Sequence, residues 1–182
     1  MGAAEAVHAM NPVYTIGHST RPIGDFIHLL QIHDIVVVAD VRTIPKSRHN
    51  PQFNEDALRQ SLSEHGIGYR WMKGLGGLRH TVHDSVNMAW KNASFRGFAD
   101  YMQTPEFAES LKELIALAAE SRTAIMCAEA VPWRCHRSLI GDALIVRGIA
   151  VEDIISERSC EPHKLTPFAK VSGTTITYPA VS

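Results

Sequence analysis

Short apolar runs alternate along this chain with longer stretches in which apolar residues return every three or four positions. VYTIG (13–17), IVVVAD (35–40), IGYRWM (67–72), TAIMC (123–127) and VEDII (151–155) have strand length and composition. The second of these is a continuous β-branched run, as expected of a central parallel strand covered on both faces. Between them lie helical patterns. Residues 23–33 place Ile23, Phe26, Ile27 and Leu30 on one face. Asn54 caps a helix that runs to His65, with Gly66 in the terminating position. Thr104 and Pro105 open a third that runs to about Ser121, with proline in the first turn. Residues 134–147 form a fourth, closed by Gly148, while 81–97 read as irregular. Strands alternating with helices predict an α/β fold, a single compact domain whose mostly parallel sheet of about five strands is flanked by helices. After residue 155 the rhythm breaks. An irregular C-terminal extension is expected to wrap over the domain and end in a short strand, TTITY.

The domain is expected to span 13–182 behind a flexible leader, 1–12, which carries neither the basic region nor the apolar region of a signal peptide. A hydrophobic fraction of 45% supports a proper core. The net charge of −1 excludes a global basic field, so any anion must be bound by local groups. Three sparse cysteines fit free thiols in a reducing compartment, and the protein is expected to be cytoplasmic and to have no membrane span. Ten histidines raise the question of a metal. The Cys127–Cys135 spacing is too wide for a zinc pair and that of His80 and His83 too narrow, so neither a metal nor another cofactor is expected.

The residues with chemistry all follow strands. Gly17, His18 and Ser19 come after the first, and Asp40, Arg42, Pro45, Lys46 and Ser47 after the second. Gly74, Gly76, Gly77 and Arg79 follow the third, and Cys127, Glu129, Cys135, His136 and Arg137 the fourth. In an open parallel sheet, ligands bind outside the carboxyl ends of the strands. Four loops of this character should therefore share one cleft.

These motifs, GHS, DVR followed by P-K-S, LGG, and C-x-E with CHR, resemble the DUF488 family, proteins of unknown function. The resemblance runs from about Val13 to Tyr178 and implies a compact α/β domain without supplying a reaction. A looser likeness of layout is to rhodanese-like domains, which place D-x-R after one strand and a cysteine loop before an R-S helix start. Six residues separate Cys127 from Arg134 here, one more than in that anion cradle, and Glu129, Pro132 and Trp133 stand where small residues would be needed.

Each residue has a bland reading beside a sharper one. Cys127, ending a strand near a carboxylate, reads as a small buried hydrophobe. Cys135, in a helix's first turn beside Arg134, His136 and Arg137, is the better-placed nucleophile. His136 either bonds a carbonyl or Asp40, or works as acid and base. Arg137 pairs with Asp40 or Glu129, or binds an anion with its planar fork. Asp40 and Arg42 form a local ion pair, or orient an arginine toward ligand. His18 is a ligand, a base or a cap, and Gly76 and Gly77 supply positive φ or close approach to a phosphate. The leading expectation is an enzyme acting on a phosphorylated or otherwise anionic small molecule. Cys135, His136, His18 and Glu129 would carry the chemistry, and Ser19, Asp40, Arg42, Ser47, Gly76, Arg134 and Arg137 would hold the ligand. The alternative is a non-catalytic nucleotide or nucleic-acid binding module using the same cleft, with Lys46, Arg48, His49 and a stacking Trp133.

Overall fold

The computed structural model describes residues 11–181. Of the expected leader, residues 1–10 lie outside the described residues. Five strands run parallel: β1 (Val13–Gly17), β2 (Val37–Asp40), β3 (Gly68–Trp71), β4 (Thr123–Cys127) and β5 (Val151–Ile154). A sixth, β6 (Cys160–Pro162), adds antiparallel to β5, giving the order β3-β2-β4-β1-β5-β6. The sheet is thus one strand wider than the sequence pattern predicts. The extra strand is only three residues long and borrows its partner from β5. A separate hairpin, β7 (Lys170–Ser172) with β8 (Thr175–Thr177), closes the C-terminal extension.

The helices divide between the two faces. On one, α1 (Ile23–Ile32) and α2 (Glu55–Glu64) pack Phe26, Ile27, Leu30, Leu58 and Leu62 against Ile16, Val38, Ala124 and Met126. On the other, α3 (Ala93–Tyr101), α4 (Pro105–Glu120) and α5 (Arg137–Ile145) cover Val13, Ala39, Ile125 and Val151. Neighbouring strand residues point to opposite faces, so both faces need apolar side chains, and the strands read as unbroken apolar runs. Among the described residues no helix is long and apolar enough to cross a membrane.

Two helices also differ from the sequence expectation. Helix α3 occupies part of the segment read as irregular. Asn92 caps it, its side chain accepting from Ser94 N and Phe95 N, and its buried Asp100 ties down the preceding loop. That carboxylate accepts from Val82 N, Ser85 Oγ and Asn87 Nδ2. Helix α5 begins at Arg137, three residues later than expected, because Pro132–Arg134 makes a separate 3-10 turn and Cys135 is extended (φ −138°, ψ 146°).

The extension is held by a buried polar cluster. Asp142 of α5 accepts from Tyr178 Oη (2.8 Å), Thr166 N (3.1 Å) and His163 Nε2 (2.9 Å). His163 also faces Asp153 of β5 through Nδ1 at 3.5 Å, and Thr15 Oγ1 donates to the same Asp153. Burial alone would lower the His163 pKa, but the two carboxylates outweigh it and raise it to about 9.

Candidate functional site

The carboxyl ends of β1, β2 and β4, adjacent in the sheet, bring their loops together. The β1–β4 pairing continues past the strand ends, with His18 N donating to Cys127 O and Ser19 N to Ala128 O, both at 2.9 Å. This holds residues 128–130 against Gly17. A Cβ on Gly17 would lie 1.6 Å from Glu129 O and 2.8 Å from the Arg137 guanidinium, so only glycine permits the approach.

Arg137 is completely buried. Its Nη1 donates to Glu129 O (2.5 Å) and Cys127 Sγ (2.7 Å), and its Nη2 to Ala130 O (3.2 Å). None of the ion pairs among the described residues involves Arg137. A buried guanidinium without a counter-ion is costly, and the Cys127 sulfur is the group beside it that can become an anion. Burial opposes the thiolate. The Cys135 S–H, the Arg137 charge and the Arg137 N–H together overcome that, and bring the Cys127 pKa down to about 7.

Cys135 is the complementary thiol. Its sulfur lies 2.7 Å from that of Cys127, and burial followed by the neighbouring Cys127 raises its pKa well above the usual thiol value. Arg137 N donates to Cys135 Sγ at 3.4 Å, and Ser138 N, Leu139 N and Ile140 N are satisfied by carbonyls of Cys135 and His136. The first amides of α5 therefore point at local acceptors and leave no vacant anion site. The expectation of Cys135 in the first turn of a helix is corrected accordingly. It is buried, precedes the helix, and is the protonated partner of a more acidic Cys127.

On the other side of the strand ends, Asp40 is completely buried and Arg42 nearly so. Arg42 Nε donates to Asp40 Oδ1 (2.9 Å) and its Nη2 to Oδ2 (2.7 Å), a two-pronged ion pair. Tyr69 Oη donates to the same Oδ2 at 2.5 Å. The remaining Arg42 nitrogen, Nη1, sits 3.5 Å from His18 Nε2. His18 Nδ1 contacts Ser19 O at 2.8 Å, so Nδ1 carries the proton and Nε2 is left as an acceptor. Burial first, and then the Arg42 charge, lower the His18 pKa and keep it neutral, and its ring stacks on Phe53 at 4.3 Å. Asp40 and His18 thus orient Arg42 from behind.

His136 spans the two halves. Its Nε2 donates to Val41 O (2.9 Å) and Leu75 O (3.0 Å), which fixes the tautomer and leaves Nδ1 unprotonated, 3.5 Å from Cys135 Sγ. Burial outweighs the two carbonyls and lowers its pKa to about 4. Phe98 of α3 holds the ring edge-on at 5.0 Å. Positive φ at Gly76 and Gly77, one expectation from the sequence, is not observed. What these glycines provide is clearance: a Cβ on Gly77 would lie 2.6 Å from His136 Nδ1, and one on Gly76 2.8 Å from the Thr43 backbone.

These groups surround an open cleft of about 440 Å³. Cys127 and Cys135 line it together with His136 and Gly77. Arg42, Lys46 and Arg134 present positive charge, and Glu129 is the acidic group on its wall. Ile44, Leu78 and Phe95 give it apolar surface. His18, Asp40 and Arg137 stand behind the wall as supports. Ser19 and Ser47 do not line the cleft: Ser19 turns the chain at positive φ (50°), and Ser47 Oγ accepts from Asn50 N within its own loop. Arg137 meets neither Asp40 nor the Glu129 carboxylate, contrary to one expectation, because its fork is taken up by backbone carbonyls and sulfur. Sequence reasoning missed the acidity of Cys127, the brace from Tyr69, and the contributions of Asn92, Ser94 and Phe95 to the cleft. For the last three a signal existed, since Asn92 is a strong helix start. For Cys127 none existed, because its partner is ten positions away along the chain.

No curated protein and no solved structure matches the chain. The family described as domain of unknown function DUF488 matches residues 22–144, which takes in the Asp40–Arg42 pair, the glycine loop and the whole Cys127–Arg137 segment while leaving β1, β5 and the extension outside. The chain belongs to the DUF488 family.

Proposed function

We propose that the protein is an enzyme acting on a phosphorylated or otherwise anionic small molecule, with Cys127 as its nucleophile. The observation that carries this reading is the buried Arg137 guanidinium, whose anionic partner is the Cys127 sulfur on the wall of the cleft. A thiol with a pKa of about 7 is half ionised near neutrality, and the thiolate is the reactive form. Arg42, Lys46 and Arg134 supply the local positive charge that a net charge of −1 denies to the molecule as a whole. The volume suits a metabolite-sized ligand. Glu129, exposed on the wall, is the group placed to move protons, while His18 and His136 serve as neutral positioning groups.

Two measurements test this. Inorganic phosphate or sulfate should slow iodoacetate labelling of Cys127, and Arg134→Ala should weaken that protection roughly ten-fold, as expected for one lost charge-assisted bond. A panel of small phosphorylated and carboxylated compounds should then reveal turnover that Cys127→Ala abolishes while anion binding persists. Labelling insensitive to phosphate and sulfate, with no calorimetric heat, would overturn the anionic-ligand reading. Anion binding with no Cys127-dependent turnover would favour the non-catalytic nucleotide or nucleic-acid module instead. Trp133, 65% exposed beside Arg134, suits base stacking in that case, and affinity would fall steeply with salt.

A further inference from the structure

The two thiols at the cleft are asymmetric and nearly touching. Their sulfurs are 2.7 Å apart, so closing to a covalent bond of about 2.05 Å needs a movement of only about 0.7 Å. One sulfur has a buried guanidinium as its partner, and the other donates its S–H toward the first. The chain between them, 128–134, contains no strand and only a single 3-10 turn, and the pairing with β1 stops at Ala128, so small adjustments beyond it break no ladder of hydrogen bonds. Both sulfurs line the cleft, where a small oxidant can reach them. We infer that Cys127 and Cys135 form a dithiol–disulfide couple that reduces hydroperoxides, with Cys127 attacking the peroxide and Cys135 resolving the product.

In the first step the Cys127 thiolate attacks the terminal peroxide oxygen. An S–O bond forms, the O–O bond breaks, and the alkoxide or hydroxide that leaves takes a proton from solvent. Cys127 becomes a sulfenic acid and the peroxide is reduced to an alcohol or water. In the second step the Cys135 sulfur attacks the Cys127 sulfur. The S–S bond forms, the S–O bond breaks, and the departing hydroxyl leaves as water with the Cys135 proton. The sum is two thiols and one hydroperoxide giving one disulfide, one alcohol and one water. A small external dithiol returns the pair to its starting state by exchange. Arg137 holds the attacking sulfur ionised and remains in place throughout. The inference needs only the two sulfurs, so a cleft inert toward phosphate would leave it standing.

The test uses the full chain, reduced, freed of reductant and treated at pH 7 with one equivalent of hydrogen peroxide or cumene hydroperoxide. Trypsin cuts after Arg122, Arg134 and Arg137, which puts the two cysteines on separate peptides, 123–134 and 135–137. The expected product is these two peptides joined, and released again by dithiothreitol. Cys160 is the internal control, a half-buried thiol whose pKa burial and then Glu152 raise above 9.0. Cys160 is less ionised at pH 7 than Cys127, about half of which is thiolate, so Cys127 should react several-fold faster. In Cys135→Ser, Cys127 should stop at the sulfenic acid and be captured by dimedone. The wild-type peptide map stands without that variant. Recovery of both thiols free, oxidation of Cys127 no faster than Cys160, or a wild-type Cys127 sulfenic acid that persists beside free Cys135 would each overturn the inference.

Discussion

Replacing His163 with glutamine should remove an alkaline loss of stability that the wild-type protein shows between about pH 6.5 and 9. The ring lies between Asp142 of α5 and Asp153 of β5, is 8% exposed, and keeps its proton up to a pKa of about 9 against 6.5 for a free histidine. Below 6.5 folded and unfolded chains are both protonated here, and the contribution is fully present. Between 6.5 and 9 the folded state holds a proton that the unfolded state has released, so rising pH favours unfolding. At 1.36 kcal/mol per pKa unit the ceiling is about 3 kcal/mol, and slight solvent access brings the expected value to about 2–3 kcal/mol. Cys127 works in the opposite direction. Its folded pKa of about 7 lies below the ordinary 9.0, so its contribution is present above 9.0 and is lost as pH falls through 7. The wild-type curve alone therefore mixes two signs, and the informative quantity is the difference between wild type and His163→Gln. Urea unfolding followed by tryptophan fluorescence from pH 6 to 9.5 should show the two proteins farthest apart at the acid end and converging above pH 9. Parallel curves across that range would refute the claim that a charged His163 clamps the extension to the domain.

Three further outcomes follow from the same geometry. Arg137→Met should move the pH midpoint of Cys127 alkylation by iodoacetamide from about 7 to above the ordinary thiol value, slowing labelling at pH 7 several-fold; an unmoved midpoint would show that the guanidinium does not hold the thiolate. Gly77→Ala puts a methyl 2.6 Å from His136 Nδ1 and should cost about 1–3 kcal/mol in urea unfolding, with wild-type stability counting against a His136 ring packed on Gly77. Tyr69→Phe removes the hydroxyl that donates to Asp40 and should cost about 1.5 kcal/mol, and a double-mutant cycle with Asp40→Asn should return a coupling energy clearly different from zero.

The elements readable from sequence were those whose cause is local. TAIMC is a strand from its first residue to its last because five consecutive buried side chains, two of them β-branched, suit a strand covered on both faces. Helix α4 starts where Thr104 accepts from Phe107 N and Pro105 takes the first turn, both short-range devices. Helix α3 was hidden because its inner face carries Gly97 and Asp100 as well as Phe98 and Ala99, and an apolar stripe interrupted by a buried carboxylate does not register as periodic. That carboxylate faces inward to serve Val82, Ser85 and Asn87, a demand set by the tertiary structure.

The same distinction explains why Cys127 and not Cys135 is the more acidic thiol. Sequence spacing credits Cys135 with the helix start and the three basic neighbours, and leaves Cys127 with a carboxylate beside it. In the folded chain the 3-10 turn at Pro132–Arg134 delays the helix and turns Arg134 outward, and burial keeps His136 uncharged beside Cys135, so only one of those bases brings a positive charge to a thiol from within the core. That base is Arg137, and it points back across the loop because Gly17 leaves room for residues 129 and 130 to lie against β1. The carboxylate of Glu129 goes to the cleft while its carbonyl takes the guanidinium, which removes the repulsion that would have kept Cys127 neutral. A glycine at the end of one strand thus sets which of two thiols, one ending the neighbouring strand and one in the loop after it, is the more acidic, a coupling written in three dimensions and absent from the spacing of C, E, C, H and R. Gly17→Ala should accordingly raise the alkylation midpoint of Cys127 with no change to either cysteine or to Arg137, and an unshifted midpoint in a folded Gly17→Ala protein would break that chain of causes.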